Sequence, residues 1–182
     1  MSKVAKTGKV ITGIVRFSFA NVFEPRMNDG DSVAKYSVQL LIPKDDVETI
    51  NKIYAAEAFA LQQGMEKNKF SKIPKMYKRP LHDGDEEKDD EMYEGFMYLS
   101  AKTTQRPDVV YEDRKPIIDT EDFYSGCWGH ASITLYAYKV DGATGVAVAL
   151  NNIMKTHDDE PLGGKRASAA DDFAVLDTED FD

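Results

Sequence analysis

From Trp128 to Lys139 the chain alternates with a period of two, and few folds can accommodate that pattern. Successive side chains of a strand point to opposite faces, so Ala131, Ile133, Leu135 and Ala137 form one small apolar face. Trp128, His130, Ser132, Thr134, Tyr136 and Tyr138 form the other. Such a strand must lie on a core and turn an aromatic and polar surface away from it. The same sorting recurs at 96–102, where Phe96, Tyr98, Ser100 and Lys102 oppose Met97, Leu99 and Ala101.

The rest of the chain supplies partners for these strands. Residues 9–19 are β-rich, with Val15, Phe17 and Phe19 expected on one face and Arg16 and Ser18 on the other. Asn28-Asp29-Gly30-Asp31 reads as a turn before a strand over 33–42 that sends Tyr36, Val38, Leu40 and Ile42 to one face. Pro43-Lys44-Asp45-Asp46 stops that strand and caps a helix through about residue 63. On it Val47, Ile50, Ile53, Tyr54, Ala58 and Leu61 recur at helical spacing before Gly64. Further strands are expected near 93–103, 128–140 and 145–153, the last two joined by a turn at 141–145. The expected fold is therefore all-β with one inserted helix: a five-stranded OB-type Greek-key barrel with extended loops, the helix plugging one open end. A β-sandwich with a surface helix fits the same pattern.

Charge is segregated along the chain. The net charge is −9, yet residues 157–182 hold nine acids and two bases, and the run from Asp83 to Glu94 holds eight acids and one base. Without those two segments the remainder is +5, a mildly basic body hidden by an acidic average. Residues 1–156 read as the folded domain, 157–170 as a flexible linker and 171–182 as a disordered acidic tail. The tail, with Asp171, Asp172, Phe173, Asp177, Glu179, Asp180, Phe181 and Asp182, has the composition of a peptide to be bound by a partner. A solubility tail is the competing reading, which the apolar Phe173, Val175, Leu176 and Phe181 disfavour.

A basic body with outward rings suggests single-stranded nucleic acid. Aromatic rings beside cations stack unpaired bases at about 1–3 kcal/mol each, while the cations follow the phosphates. Trp128, Tyr136, Tyr138, Phe96, Tyr98 and Lys102 are the candidates on the two alternating strands, with Arg16 on the first. The segment Lys67, Lys69, Phe70, Lys72, Lys75, Tyr77, Lys78 and Arg79 interleaves rings and cations in the manner of a flexible arm. The alternative for each ring is burial under the helix or a loop.

Other chemistries have weaker support. Asp83, Asp85, Glu86, Asp89 and Asp90 could in principle hold the Mg²⁺ of a nuclease, but they crowd one glycine-containing loop, where a solvated acidic run is the simpler reading. His82, His130 and His157 are widely spaced and make no zinc pattern with the single Cys127, and no phosphate loop or nucleophile elbow occurs. No enzyme activity, metal or cofactor is expected. Cys127 excludes an intrachain disulfide and is expected to be a small buried residue in a reducing compartment. No apolar run approaches a membrane span and no signal-type stretch follows Met1, so no membrane association is expected.

Several ordered blocks also carry a resemblance. Arg16 through Pro25, Lys35 through Asp46, Pro80 through Asp85, Tyr124 through Gly129, Ala149 through Ile153 and Glu160 through Gly164 together resemble a family of tailed-phage single-stranded DNA-binding proteins with an OB fold. The resemblance implies a replication, recombination and repair protein of the host cell cytoplasm that coats single strands. It also implies an acidic C-terminus that contacts replication partners such as a DNA polymerase and restrains DNA affinity. A homodimer is compatible with it. His82, where the family more often has Arg, and the stretch Met154 to His157 depart from the family pattern. A purely structural phage protein is the remaining alternative, and it would have no reason to segregate its charge.

Overall fold

The computed structural model describes residues 7–28, 30, 32–67, 69–162 and 173. In chain order its elements are β1 (Lys9–Ile11), β2 (Val15–Arg26), β3 (Lys35–Pro43), α1 (Val47–Glu66), β4 (His82–Asp83), α2 (Gly84–Glu87), β5 (Phe96–Thr103), β6 (Asp108–Val110), β7 (Trp128–Val140) and β8 (Ala143–His157). Short 3-10 turns stand at Glu91–Tyr93 and Thr120–Asp122.

Five of these strands close a ring. β2 pairs β3, β3 pairs β5, β8 pairs β7 and β7 returns to β2, all antiparallel, while β5 and β8 pair in parallel at Lys102 and Ala149. This is the expected OB barrel. Closure distinguishes it from a sandwich, because a ring leaves its member strands no free edge. β1 extends the sheet beside β7, β6 beside β8 and β4 beside β5.

The inward faces fill the barrel with Val15, Phe17, Leu40, Ile42, Leu99, Ala101, Ile133, Leu135 and Ile153. On β7 the expected alternation holds, with Ala131, Ile133, Leu135 and Ala137 all buried. Cys127 is buried too, and burial pushes its thiol pKa up, as befits an inert core residue.

The helix buries Ile53 and Leu61 as expected and packs Ile50 against the core, but Val47, Tyr54 and Ala58 face outward. Asp46 caps α1 by accepting the Thr49 N–H, and the Thr49 hydroxyl donates to Asp46 Oδ2 at 2.6 Å while accepting from the Gly13 N–H at 2.8 Å. The buried stripe is Thr49, Ile53, Ala56, Glu57, Ala60, Leu61 and Gly64, whereas Val47 is 58% and Tyr54 41% exposed. Polar and small residues occupy this stripe for specific reasons. Glu57 accepts from Tyr77 and Arg79, and a Cβ on Gly64 would stand 2.4 Å from the Phe70 ring, so only glycine lets that ring seat against the helix.

Two further expectations change. Phe19 does not join Val15 and Phe17 inside, because a bulge in β2 turns it outward. The acidic run is not a free loop: Lys44 bridges Asp83 at 2.7 Å and Asp85 at 2.6 Å, latching it to the end of β3. Of the sequence-level linker, residues 163–170 lie outside the described residues, as do tail residues 171, 172 and 174–182; Phe173 is exposed. Residues 158–162 pack back on the barrel, with Leu162 N–H donating to Ser125 C=O, so this part of the expected linker belongs to the folded body. Among the described residues no helix is long and apolar enough to cross a membrane.

Candidate nucleic-acid interface

The outward faces of β5 and of the β7–β8 hairpin meet the segment 78–82 around an open groove of about 850 Å³. Its cations are Lys35, Lys78, Arg79 and Lys102, and its rings are His82, Tyr98, Tyr136 and Tyr138. None of its lining residues is acidic. Val140, Val146 and Val148 add an apolar floor. Glu57 behind Arg79 and Glu87 beside His82 engage two of these groups, which leaves Lys35, Lys78 and Lys102 with the rings as the surface suited to a polyanion whose bases can be splayed out.

Its rings differ in freedom. Tyr136 is 46% exposed, the most open of them. Tyr138 is half-buried against its register partner Gly145, where a Cβ would stand 2.4 Å from the phenol oxygen. Tyr98 is only 9% exposed, since His82 stacks on it with centroids 5.1 Å apart and Tyr93 meets it edge-on at 5.1 Å. Burial raises the Tyr98 pKa, keeping the phenol neutral. Tyr98 therefore braces His82 and is itself a poor stacking platform, contrary to the sequence-level expectation.

The basic segment is less an arm than a packed strap. Lys69 Nζ donates to Ala137 C=O at 2.8 Å, and the backbone of Lys78 bonds Thr144 and Val146 of the hairpin. The Arg79 guanidinium clasps the Glu57 carboxylate at 3.0–3.2 Å, the Tyr77 hydroxyl donates to the same group, and hydrogen bonding to Glu57 raises the Arg79 pKa. Phe70 is buried in the core and Tyr77 is half-buried, so neither is a free ring. Lys75 lines a shallower depression that shares Lys78 and Arg79 with the groove, while Lys67 and Lys72 are exposed outside both.

A second set of predicted residues gathers at the other end of β7. There the Trp128 indole N–H donates to Asp159 Oδ2 at 2.9 Å, His157 stacks on the ring at 5.8 Å, and Phe96 lies 6.0 Å away. Arg16 sits 5.8 Å from the indole centroid, pairs with Asp159 at 3.5 Å and donates to the Gly126 and Glu160 carbonyls. The Trp128 hydrogen bond holds the Asp159 carboxyl below its ordinary range, helped by the Glu160 N–H. Arg16 and Trp128 thus hold residues 157–160, while Phe96 packs beside the indole and against the Tyr93 and Tyr98 cluster, so none of the three stands as a free contact residue in this structure.

Lys35, His82 and Ser100 were missed as groove residues. Alternation could have found Lys35 and Ser100: Lys35, Ser37 and Gln39 are the outward positions of β3, and Ser37 and Gln39 face Lys102 and Ser100 across the register. The nuclease reading finds no support in the loop geometry. Asp83 accepts the Asp85 and Glu86 N–H groups, Asp85 accepts the Gly95 N–H, and Asp90 caps a 3-10 turn through the Met92 N–H. Lys44 holds both Asp83 and Asp85 below the usual carboxylate range. Among the described residues no three His, Cys, Asp or Glu side chains are placed to hold a metal ion.

Comparison with known proteins identifies a family and a shared fold. The family model described as Enterobacter phage Enc34, ssDNA-binding protein, matches residues 8–182. The structure of the single-stranded DNA-binding protein from bacteriophage Enc34 in complex with ssDNA is similar at 27% identity and a TM-score of 0.75, over 88% of this chain and 92% of that one. The single-stranded DNA-binding protein gp2.5 of bacteriophage T7 shares the fold, with a TM-score of 0.60 at 17% identity over 93% of this chain and 94% of its own. Among sequences, putative protein p50 of Acyrthosiphon pisum secondary endosymbiont phage 1 is 29% identical, covering 92% of this chain and 94% of its own.

Proposed function

The chain belongs to the Enterobacter phage Enc34 single-stranded DNA-binding protein family, and from that membership we propose that it coats single-stranded DNA without sequence preference. One observation carries this reading: the groove combines four cations and an exposed Tyr136 with no acidic lining residue. Base stacking is sequence-tolerant because every base has a π-face, and phosphate contacts carry no sequence information. Binding is electrostatic in part, so log K falls with log[salt] at a slope of about −0.7 per phosphate neutralised. Anisotropy titrations of labelled single strands and duplexes over a salt series test this. A flat salt response, or duplex preferred to single strand, would overturn it.

The protein acts in replication, recombination and repair within the host cytoplasm, without catalysis or cofactor. The groove is lined by residues of one chain, and a homodimer is compatible with it. The tail contacts replication proteins such as the DNA polymerase, its acids steering encounter and Phe181 supplying the apolar anchor. Tethered near the basic surface at an effective concentration of about mM, it competes with DNA. Deleting 171–182 should tighten single-strand binding, most at low salt where screening is weak. Unchanged affinity there would reduce the tail to a solubility device.

A further inference from the structure

Strand alternation would bury Phe19 beside Phe17, yet its side chain is 62% exposed and its φ is +46. A bulky residue rarely adopts that left-handed region. The cause is a register slip: Ser18 pairs Gln39 and Asn21 pairs Ser37, so three steps along β2 match two along β3. One extra residue makes a bulge, a device that re-aims a side chain. Neighbours hold it open. The Ala20 N–H donates to Ser125 Oγ at 3.0 Å, and Asn21 Nδ2 donates to the Phe19 C=O at 3.2 Å.

The surface around this ring continues that of the groove. Arg26 Nη1 donates to Asn21 Oδ1 at 3.4 Å, and Arg26 pairs in register with Lys35, which lines the groove. Asn21 faces Ser37, and Ser37 faces Lys102 on the groove wall. Two interstrand spacings, about 10 Å, therefore separate β2 at the bulge from β5 at the groove. Backbone strain held by its surroundings is characteristic of functional positions, and here it serves only to present a ring.

We propose that Phe19, flanked by Asn21 and Arg26, is a second stacking subsite for a base of the same single strand that lies in the groove. This rests on the reading of the groove as a single-strand site. A strand leaving the groove past Lys102 and Lys35 meets Arg26 with its phosphate and Phe19 with a base. The path across β3 then becomes part of the binding track.

Full-length protein carrying Phe19→Asn tests this, because Asn tolerates the left-handed backbone while removing the ring. Thymidine oligonucleotides of about 4 and about 16 nucleotides bracket the site sizes of OB folds. The variant should bind the long strand about tenfold more weakly, the worth of one stack, and lose less on the short one. Its Tm should equal or exceed that of the parent, and Phe19→Trp should retain long-strand affinity. Unchanged long-strand binding by Phe19→Asn overturns the subsite and would leave the ring to a protein partner. Equal losses at both lengths with a lowered Tm overturn it as well, by marking the ring as structural. Failure of the parent to bind either strand would instead overturn the groove reading.

Discussion

At the hairpin end of β7, the exposed Tyr136 opens onto a groove with no acidic lining residue, whereas at the start of the same strand the half-buried Trp128 is engaged by Asp159 and His157. Both sites lie on one outward face, and each has a cation beside its rings. They differ in what the chain lays across them. Residues 157–160 bring a carboxylate to the Trp128 site, satisfying Arg16 and the indole N–H together. The segment 78–82 brings Lys78, Arg79 and His82 to the groove and leaves Tyr136 open. Residue types on a strand face state what could be bound; the covering segment decides whether the face is available.

The strongest way to sharpen this contrast is to remove the open rings. Tyr136→Ala combined with Tyr138→Ala should weaken single-strand binding by about 2–6 kcal/mol if both rings stack. Anisotropy titration reads it, and an unchanged Kd would end the claim that this end is the binding end. Next comes the closed site. Trp128→Phe removes the indole donor and should lower stability by about 0.5–1.5 kcal/mol, the net worth of a typical hydrogen bond, because this one is exposed, with single-strand affinity retained. A variant with parental Tm and tenfold weaker binding would show that residues 157–160 lift away and Trp128 stacks.

Smaller effects test the electrostatics. Lys102→Ala should reduce the magnitude of the salt slope by about 0.7, the share of one phosphate, while Lys52→Ala on α1 should leave the slope as it was. The smallest effect is in acid. Since Asp158 and Asp159 are both held below the ordinary carboxylate range, by Lys155 and Trp128 respectively, their contribution is full above the unfolded value near 3.9. It is lost as the pH falls through the lower folded values. The Tm difference between the parent and Asp159→Asn should therefore hold steady from neutrality to about pH 4 and shrink only below it. A difference that has already vanished above pH 5 would show that this carboxylate does not hold the site.

Legibility varied from residue to residue. Alternation on β7 sorted inward from outward positions correctly because a strand with one buried face must repeat every two residues. The helix stripe was misread in part because Thr49, Glu57 and Gly64 lie on its buried face, and each is there for a partner outside the helix: Gly13, Arg79 and Phe70. Tyr98 and Phe70 carried the right chemistry for stacking but are covered by other segments. Phe19 erred in the opposite direction. Its outward turn comes from a register slip against β3, which β2 alone does not encode.

By itself the sequence determined the strand-rich class, the inserted helix, the separation of acidic from basic segments and the set of rings and cations from which a binding surface could be made. These follow from local period and composition, which do not depend on what the chain later meets. Tertiary structure alone decided the parallel closure of β5 on β8, the bulge at Phe19, the place of the groove and the engagement of Trp128 by Asp159. Each of these depends on which distant segment comes to rest on a given face, and that contact is set by packing, not by neighbouring residues in the chain.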